Sequence, residues 1–319
     1  MRSSVALTIG VDVGGTKVAA GVVDEDGRIL AQLKRGTPST SVDRTADAIA
    51  EVVDTLRAAH SVAAVGIGAA GFIEPGGGTV RFAPNLAWRD EPLKAKVEVR
   101  VGLPTVVEND ANAMAWGEYR FGAGRGEENL LALTVGTGIG GGIVLDGRLH
   151  RGRWGIAAEI GHIQMKPHGR RCGCGNRGCW EQYGSGRALV HEARELASVW
   201  PARAGRLLQL ADGRAEDIEG PEVTAAAREG DPAALECFAE VGRWLGVGMA
   251  DLAAVLDPGR FILGGGVSAA GDLLLVPTRA AYAESLTGRG HRPIADICLA
   301  ELGQEAGLVG AADLARSVL

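Results

Sequence analysis

The chain has 319 residues, 46% of them hydrophobic and 23% charged, with a formal net charge of −6 at pH 7. This length exceeds the usual single domain, so two lobes of an ordinary globular protein are expected. The acidic balance argues against nucleic acid as a main partner, because such a partner requires concentrated positive charge. Neither an apolar run of membrane-spanning length nor an N-terminal signal peptide is evident, so we expect a cytoplasmic protein without a membrane partner.

The first part of the chain alternates short apolar runs with polar turns. Apolar runs predict strands at 5–11, 18–23, 28–34 and 62–67 and a strand closed by Val106 and Val107. The turn Asp24–Gly27, which ends in Asp-Gly, is typical of a hairpin. Residues 43–59 carry apolar and acidic side chains on separate faces and predict a helix, and another helix is expected to begin near Ala111.

The opening pattern returns about 120 residues later. Residues 130–135 predict a buried strand, 136–142 a glycine turn, 143–145 a strand, and Asp146-Gly147 a hairpin turn. Such an internal repeat implies two similar lobes that arose by duplication.

The remaining segments are mostly helical. We expect a helix at 185–199, a largely helical stretch at 221–257 with an N-cap at Asp231-Pro232, short strands at 261–263 and 295–300, and a last helix at 305–318.

Three glycine-rich turns, at Gly14-Gly15, Gly136–Gly142 and Gly264–Gly266, each follow a predicted buried strand. Glycine lets backbone N–H groups approach an anion closely, and Thr16 and Thr137 add hydroxyl donors. None of the turns matches a Walker loop or a dinucleotide fingerprint. One such turn is a weak signal, but the three together predict a cleft that binds a polyphosphate group.

Two aspartates follow predicted strands. Asp12 is placed to hold a hydrated Mg²⁺, an ion that proteins bind through one or two carboxylates and the phosphates themselves. Asp110 has two interpretations: it caps the following helix, or it is the base that takes a proton from an attacking hydroxyl. Asn109 adds a second polar side chain at a strand end, where α/β sheets usually bind ligands.

Three of the five cysteines, Cys172, Cys174 and Cys179, fall within eight residues, and His162 precedes them by ten positions. Thiolates and imidazole are the ligands of a tetrahedral structural Zn²⁺. The alternatives are a disulfide with a leftover thiol, which an odd trio in a chain without a secretion signal disfavours, or three unrelated buried cysteines.

Glu159 and Glu181 lie beside the proposed metal ligands in the sequence. Two carboxylates and the free imidazole nitrogen of His162 suit a polyhydroxylated ligand such as a sugar, whereas isolated glutamates are usually solvated surface charges. The basic cluster at 148–153 is interpreted as a solvated loop.

These segments resemble the ROK family of sugar kinases and repressors, and within it the bacterial glucokinases. The likeness covers essentially the whole chain and is carried by residues 12–17, 108–110, 133–142, 159–162 and 172–181. The single-residue spacing of Cys172 and Cys174 is normal in that family. The resemblance implies an α/β, two-lobed, actin-like and ribonuclease-H-like ATPase fold with a central ligand cleft and a zinc-binding loop. We assign residues 1–115 and about 305–319 to a smaller lobe and 116–304 to a larger one.

The resemblance also implies roles for individual residues. Asp110 is similar to the base that deprotonates the 6-hydroxyl of the sugar. The remaining hydroxyls are expected to contact Gly71, Asn109, Glu159, His162 and Glu181; for Gly71 the local Gly-Ala-Ala-Gly sequence departs from the Gly-Pro of many relatives. The implied contacts of ATP are Asp12, Gly14, Gly15, Thr16, Lys17, Gly136, Thr137, Gly138, Gly264, Gly265 and Gly266, and the implied zinc ligands are His162, Cys172, Cys174 and Cys179.

The implied activity is phosphorylation of glucose by MgATP, in a homodimer or homotetramer. The alternatives are another hexose as acceptor (fructose, mannose, allose or an N-acetylhexosamine) or polyphosphate as donor. A repressor of the same family is not expected, because only about four residues precede the first predicted strand and a helix-turn-helix module does not fit there.

Overall fold

The computed structural model of the protein describes residues 6–84 and 86–319. The chain divides into two compact units. The first unit consists of Met1–Ala132, Gly142–Ala158 and Ala300–Leu319, and the second unit consists of Leu133–Gly141 and Glu159–Leu299. The lobe boundaries that we assigned from the sequence stay a prediction. In the described ranges, no helix combines the length and apolarity needed to cross a membrane.

Strands and helices alternate along the chain. The strands are β1 (Leu7–Val13), β2 (Lys17–Val23), β3 (Ile29–Gly36), β4 (Val62–Ala69), β5 (Phe72–Ile73), β6 (Val80–Phe82), β7 (Arg89–Glu91), β8 (Thr105–Asn109), β9 (Leu130–Val135), β10 (Ile139–Leu145), β11 (Arg148–Leu149), β12 (Arg260–Gly264) and β13 (Asp296–Leu299). The helices are α1 (Val42–Arg57), α2 (Leu93–Val101), α3 (Asp110–Phe121), α4 (Glu181–Gly184), α5 (Gly186–Val199), α6 (Gly205–Leu210), α7 (Gly220–Arg228), α8 (Pro232–Leu256), α9 (Asp272–Ser285) and α10 (Ala306–Ala315).

Most of the predicted elements are present within a few residues of their expected bounds. The predicted first strand began at Val5, which lies outside the described residues. Asp231 caps α8 as expected, since its Oδ1 accepts a hydrogen bond of 2.9 Å from the N–H of Ala234. The predicted last helix ends at Ala315 and continues as a short 3₁₀ turn, Arg316–Val318.

The first five-stranded sheet has the order β3-β2-β1-β4-β8. β2 is antiparallel to β1, while β4 is parallel to both β1 and β8. The register pairs Asp12 with Gly68, and Gly68 with Glu108. The carboxyl ends of three parallel strands therefore meet at one edge, which is where α/β sheets usually bind ligands.

Helix α1 contributes its apolar face to the core of the first unit. Ile49 and Val53 are fully buried and belong to one cluster with Ile9 and Ile67 of the sheet. The N-terminus of α1 is capped by Ser41, whose hydroxyl accepts from the N–H of Arg44 at 3.5 Å.

The second five-stranded sheet has the order β11-β10-β9-β12-β13. Counted along the chain, the strands of both sheets follow one order: third, second, first, fourth, fifth. β10 and β11 form an antiparallel hairpin, as β1 and β2 do, and β12 and β13 are parallel. The repeated order supports the internal repeat that the sequence predicts.

The glycine stretch 136–142 is only partly a turn, and the prediction of a turn as far as Gly142 is wrong. β10 begins at Ile139, so Gly140, Gly141 and Gly142 lie in a strand. A Cβ atom on Gly142 would lie 2.4 Å from the Cβ of Ala115 and 2.8 Å from the carbonyl oxygen of Ala111. Glycine in this strand therefore admits the close approach of α3.

Several elements were not predicted from the sequence. Strands β5, β6 and β7 have only two or three residues each, which is too short for an alternating pattern. Helix α9 contains Pro277, a residue that usually ends or kinks a helix. Helices α2 and α6 have only nine and six residues, too few for a clear helical period.

Helix α10 touches both β4 and α3 through backbone atoms. A Cβ atom on Gly66 would lie 1.8 Å from the carbonyl oxygen of Ala311, and one on Gly310 would lie 1.8 Å from that of Ala113. These separations are far below van der Waals contact, so only glycine permits this spacing. Small residues of α10, among them Gly310, therefore have a packing role.

We expect Gly66→Ala to lower the free energy of unfolding by about 1–3 kcal/mol or more, because the added methyl group meets backbone atoms that cannot rotate away. The matched control is Gly36→Ala, where an added Cβ meets no atom within 4 Å. It should change stability by less than about 0.5 kcal/mol. Urea and thermal midpoints of the two variants check the prediction, and equal midpoints would contradict it.

Candidate active site

Asp12 and Asp110 lie at the same edge of the first sheet. Asp12 is near the end of β1, and Asp110 is the first residue of α3, directly after β8. Burial raises the pKa of Asp12 to about 6, the charge of Asp110 adds to this effect, and Lys17 opposes it. Burial also raises the pKa of Asp110, against the hydrogen bond of 3.0 Å that its Oδ1 accepts from the N–H of Ala111. Two half-buried carboxylates at one sheet edge, both with a raised pKa, are typical of a functional site.

Asn109 is fixed by hydrogen bonds at both ends of its amide group. Its Oδ1 accepts from the N–H of Asn112 at 3.0 Å, so Asn109, and not Asp110, is the N-cap of α3. Its Nδ2 donates to the carbonyl oxygen of Gly71 at 3.1 Å. The capping interpretation of Asp110 is therefore wrong, and the Asp110 carboxylate is available for other chemistry.

Gly71 lies close to the backbone at the end of β6. A Cβ atom on Gly71 would lie 2.5 Å from the carbonyl oxygen of Phe82. The contact with Asn109 and this tight packing fix the position of Gly71 in the first unit.

An ion pair next to these residues was not predicted. Glu108 is 4% exposed, and its Oε2 accepts a bond of 2.6 Å from Nε of Arg151. Its Oε1 accepts from the N–H of Asn109 at 2.9 Å and from Nδ2 of Asn112 at 3.0 Å. The interpretation of the 148–153 cluster as a solvated loop is thus wrong for Arg151. The only sequence signal of this ion pair was a glutamate in an apolar strand, because a buried carboxylate requires a partner.

The glycine turn between β1 and β2 is closed by backbone bonds. The N–H of Gly14 donates to the carbonyl oxygen of Lys17 at 3.0 Å, and the Thr37 hydroxyl donates to that of Gly14 at 2.8 Å. Thr16 and Lys17 are exposed, whereas Gly14 and Gly15 are half-buried. Among the described residues of the first unit, none accepts a hydrogen bond from the side chain of Thr16 or of Lys17.

The other two glycine turns lie together in the second unit. A Cβ atom on Gly265, which has a φ of +88°, would lie 2.6 Å from the carbonyl oxygen of Val135, the residue before Gly136. The N–H of Gly186, at the start of α5, donates to the carbonyl oxygen of Gly136 at 2.7 Å. Nε of Arg187 donates to the carbonyl oxygen of Thr137 at 3.2 Å. The turns Gly136–Gly138 and Gly264–Gly266 therefore form one backbone-lined surface.

The four proposed zinc ligands converge in the second unit. One ligand atom from each of His162, Cys172, Cys174 and Cys179 lies within 4.8 Å of every other. Cys174 Sγ and Cys179 Sγ are 3.6 Å apart, and Cys172 Sγ is 3.5 Å from His162 Nδ1. A tetrahedral Zn²⁺ with Zn–S bonds of about 2.3 Å places its ligand atoms about 3.5–3.8 Å apart. The residues therefore fit a structural zinc ion, with Nδ1 as the ligand atom of His162.

The proposed sugar-binding residues of the second unit surround these ligands. Nε2 of His162, the nitrogen that the metal does not use, is 3.9 Å from Oε2 of Glu159. Glu181 is buried, and its Oε1 accepts from Cys172 Sγ at 3.0 Å. A Cβ atom on Gly138 would lie 2.3 Å from Oε2 of Glu181. The surface-charge interpretation is therefore wrong for Glu181, which links the metal loop to a glycine turn.

The comparison with known proteins covers nearly the whole chain. A family model described as the ROK family matches residues 8–318. A Streptomyces coelicolor protein named glucokinase is 57% identical over 97% of this chain and 98% of its own length. A Thermotoga maritima protein of the same name is 38% identical over 97% of this chain and 96% of its own length. A crystal structure of a ROK family glucokinase from Streptomyces griseus, in complex with glucose and AMPPNP, has a TM-score of 0.89 at 57% identity, over 98% of this chain and 100% of that chain. The actin-like α/β fold expected from the sequence is thereby confirmed.

We expect one Zn²⁺ per purified chain, lost in Cys174→Ala. The matched control is Cys298→Ala, because Cys298 lies in the same unit and outside the ligand cluster. Burial raises the pKa of the Cys172 thiol, and a metal must displace its proton, so the affinity should fall as the pH is lowered. Elemental analysis and the thermal midpoint, with and without a chelator, measure the effect. A metal-free wild-type protein with an unchanged midpoint would contradict the zinc assignment.

Proposed function

The chain belongs to the ROK family, and on this premise we propose that it is a glucokinase, which transfers the γ-phosphoryl group of ATP to the 6-hydroxyl of glucose. The observation that carries the proposal is the 57% identity, over 98% of the chain, to a solved glucokinase in complex with glucose and AMPPNP. The buried carboxylates at the edge of the first sheet support it, because phosphoryl transfer to an alcohol needs a base.

We assign the role of base to Asp110. Its carboxylate takes the proton of the 6-hydroxyl as the oxygen attacks the γ-phosphorus, and the bond from that phosphorus to the oxygen of ADP breaks. The raised pKa of Asp110 supports this role, since a carboxylate of higher pKa accepts a proton more readily.

The donor ATP is assigned to the three glycine turns. Their backbone N–H groups, with Thr16, Lys17 and Thr137, would hold the phosphates, and Gly264–Gly266 would contact the nucleotide. Mg²⁺ bound with ATP supplies charge neutralisation at the phosphates. Asp12 is an oxygen ligand of the kind that this hard ion takes, and it would hold the hydrated ion.

Glucose is assigned to two sets of residues. Asn109 retains one amide hydrogen and one lone pair beyond its two internal bonds, and both suit a sugar hydroxyl. Gly71 would contact the sugar through its backbone. Glu159, His162 and Glu181 would accept or donate hydrogen bonds to the remaining hydroxyls. A zinc ion held by four protein ligands has no open position, so its role would be to orient His162 and the loop.

The remaining properties are part of the proposal. From the family resemblance we propose a homodimer or homotetramer, which light scattering would measure. A cytoplasmic location suits the use of ATP and of closely spaced thiols, which must stay reduced to bind a metal.

The test is a coupled assay of the purified protein across acceptors and donors. Glucose should give the highest kcat/KM among glucose, fructose, mannose, allose and N-acetylhexosamines, and ATP should exceed polyphosphate as donor. A higher kcat/KM for another hexose or for polyphosphate would replace the glucokinase assignment by that alternative.

We expect Asp110→Asn to lower kcat by about two to four orders of magnitude, because the amide cannot accept the hydroxyl proton. The binding of glucose, measured by calorimetry, should be largely retained. In the wild-type protein, loss of activity on acidification should occur above the ordinary aspartate range, because burial raises the pKa of the base and only its deprotonated form is active. A kcat close to that of the wild type would remove Asp110 from the mechanism.

We expect Asp12→Ala to raise the KM for MgATP by about tenfold or more, while the KM for glucose changes less than about threefold. Since the pKa of Asp12 is about 6, the KM for MgATP in the wild type should rise as the pH falls below that value and the carboxylate loses its charge. Asp26→Ala is the control, because Asp26 is exposed and its carboxylate pairs with Arg28 on a hairpin of the same sheet. Equal losses for both substrates would indicate a folding defect instead.

A further inference from the structure

We propose that the ion pair between Glu108 and Arg151 positions the sugar-binding Asn109 and the base Asp110, so that Arg151 is required for efficient phosphoryl transfer without touching a substrate. This inference rests on the proposed function of the site. It assigns a role to an arginine 43 positions away from its partner in the sequence.

Several groups depend on the Glu108 carboxylate. One oxygen binds Arg151, and the other accepts from the N–H of Asn109 and from the amide of Asn112. Asn112 in turn donates its N–H to the side chain of Asn109. Glu108, Asn109 and Asn112 thus form a closed hydrogen-bonded ring around the junction of β8 and α3, from which Asp110 projects.

The two side chains of the ion pair differ in burial. The side chain of Glu108 is 6% exposed and that of Arg151 is 40% exposed. The carboxylate is therefore fixed in the interior, and Arg151 approaches it from the partly exposed side. If Arg151 is removed, the buried charge loses its cation, and the carboxylate must take up a proton or turn toward solvent. Either change weakens or breaks its bonds to Asn109 and Asn112.

The loop that carries Arg151 is itself held in place. The carbonyl oxygen of Arg151 accepts from the N–H of Ala157 at 3.2 Å. Gly155 has a φ of +78°, and a Cβ atom on it would lie 2.1 Å from the carbonyl oxygen of Ile73. The loop is thus anchored to the end of β5, and it presents Arg151 to Glu108 in a fixed position.

A purely stabilising role is the competing explanation. Buried ion pairs are weak contributors to stability, because desolvation of the charges offsets their attraction. A glutamate at a strand end between sheet and helix would be replaceable by an apolar residue if stability were its only role. The carboxylate instead binds the backbone N–H of Asn109 and the side-chain amide of Asn112, and so fixes the backbone at the junction of β8 and α3 in a way that an apolar residue could not.

The experiment compares Arg151→Met with Arg151→Lys and with the control Arg153→Met. Arg153 lies in the same loop, and within the described residues its side chain stacks on Trp154 without an ion pair. Steady-state kinetics are measured for the best hexose of the acceptor panel and for ATP, together with hexose binding without nucleotide and the thermal midpoint.

We expect Arg151→Met to lower kcat/KM for the hexose by about 10- to 100-fold, as a displacement of about 1 Å in a catalytic group does. The KM for ATP should change less than about threefold, and Arg151→Lys should recover part of the loss because it keeps the charge. Arg153→Met should match the wild type. If Arg151→Met does not fold, Arg151→Lys is compared directly with the wild type, and a selective loss in kcat/KM for the hexose is again required.

Two results would overturn the inference. One is a folded Arg151→Met, or Arg151→Lys where only that variant folds, with unchanged kinetics for the hexose. The other is an equal loss for both substrates that follows a lowered thermal midpoint, which is the result of a structural role alone. A wild-type protein that phosphorylates no hexose would refute the proposed function before any variant is compared, and the inference would fall with it.

Discussion

The contact of α10 with β4 and α3 through bare backbone is the constraint on which the first unit depends. At Gly66 and Gly310 there is no room for a Cβ atom, so the helices lie closer to the sheet and to each other than side chains would allow. Helix α3 begins with Asp110, and Gly142 lets β10 approach the same helix. The location of the proposed base is therefore set by positions that carry no chemistry. Backbone packing of this kind has little freedom to relax, which suits a group that must be held within a fraction of an ångström.

The metal-binding loop of the second unit is ordered by different means. Between Glu159 and Glu181 the only regular helix is the 3₁₀ turn Ile160–His162, and isolated bridges join Gln164 to Cys179 and Arg171 to Arg177. A loop of this length with so little secondary structure cannot bury enough apolar surface to fix its own conformation. Four converging ligand atoms replace the missing core, since a bound ion cross-links the loop at one point. Glu181 then connects that cross-link to Gly138 and its turn.

The sequence predicted the elements whose signal is local. β9 was expected at 130–135 and is observed at Leu130–Val135, because a buried strand between turns is readable from hydrophobicity alone. The metal ligands were also predicted, since their spacing is local. Of the strand Ile139–Leu145 only residues 143–145 were predicted, because three consecutive glycines give the local signal of a turn, and the approach of α3 to Gly142 cannot be read from the sequence. The ion pair of Glu108 and Arg151 was also not predicted, because it joins segments that are distant in the sequence and no periodicity connects them.

Three carboxylates at one sheet edge differ in how their charge is compensated, and this difference separates structural from chemical roles. Glu108 has an arginine and two amide donors, so its charge is fully accommodated within the protein. Asp12 and Asp110 form no ion pair among the described residues, and burial raises the pKa of both. A protein that only needed stability would gain by replacing such groups, because uncompensated buried charge opposes folding. Their retention is explained if substrates complete the site: a magnesium ion for Asp12 and a sugar hydroxyl for Asp110. We therefore propose that Glu108 maintains the geometry, and that Asp12 and Asp110, which form no ion pair among the described residues, are the groups that meet the substrates.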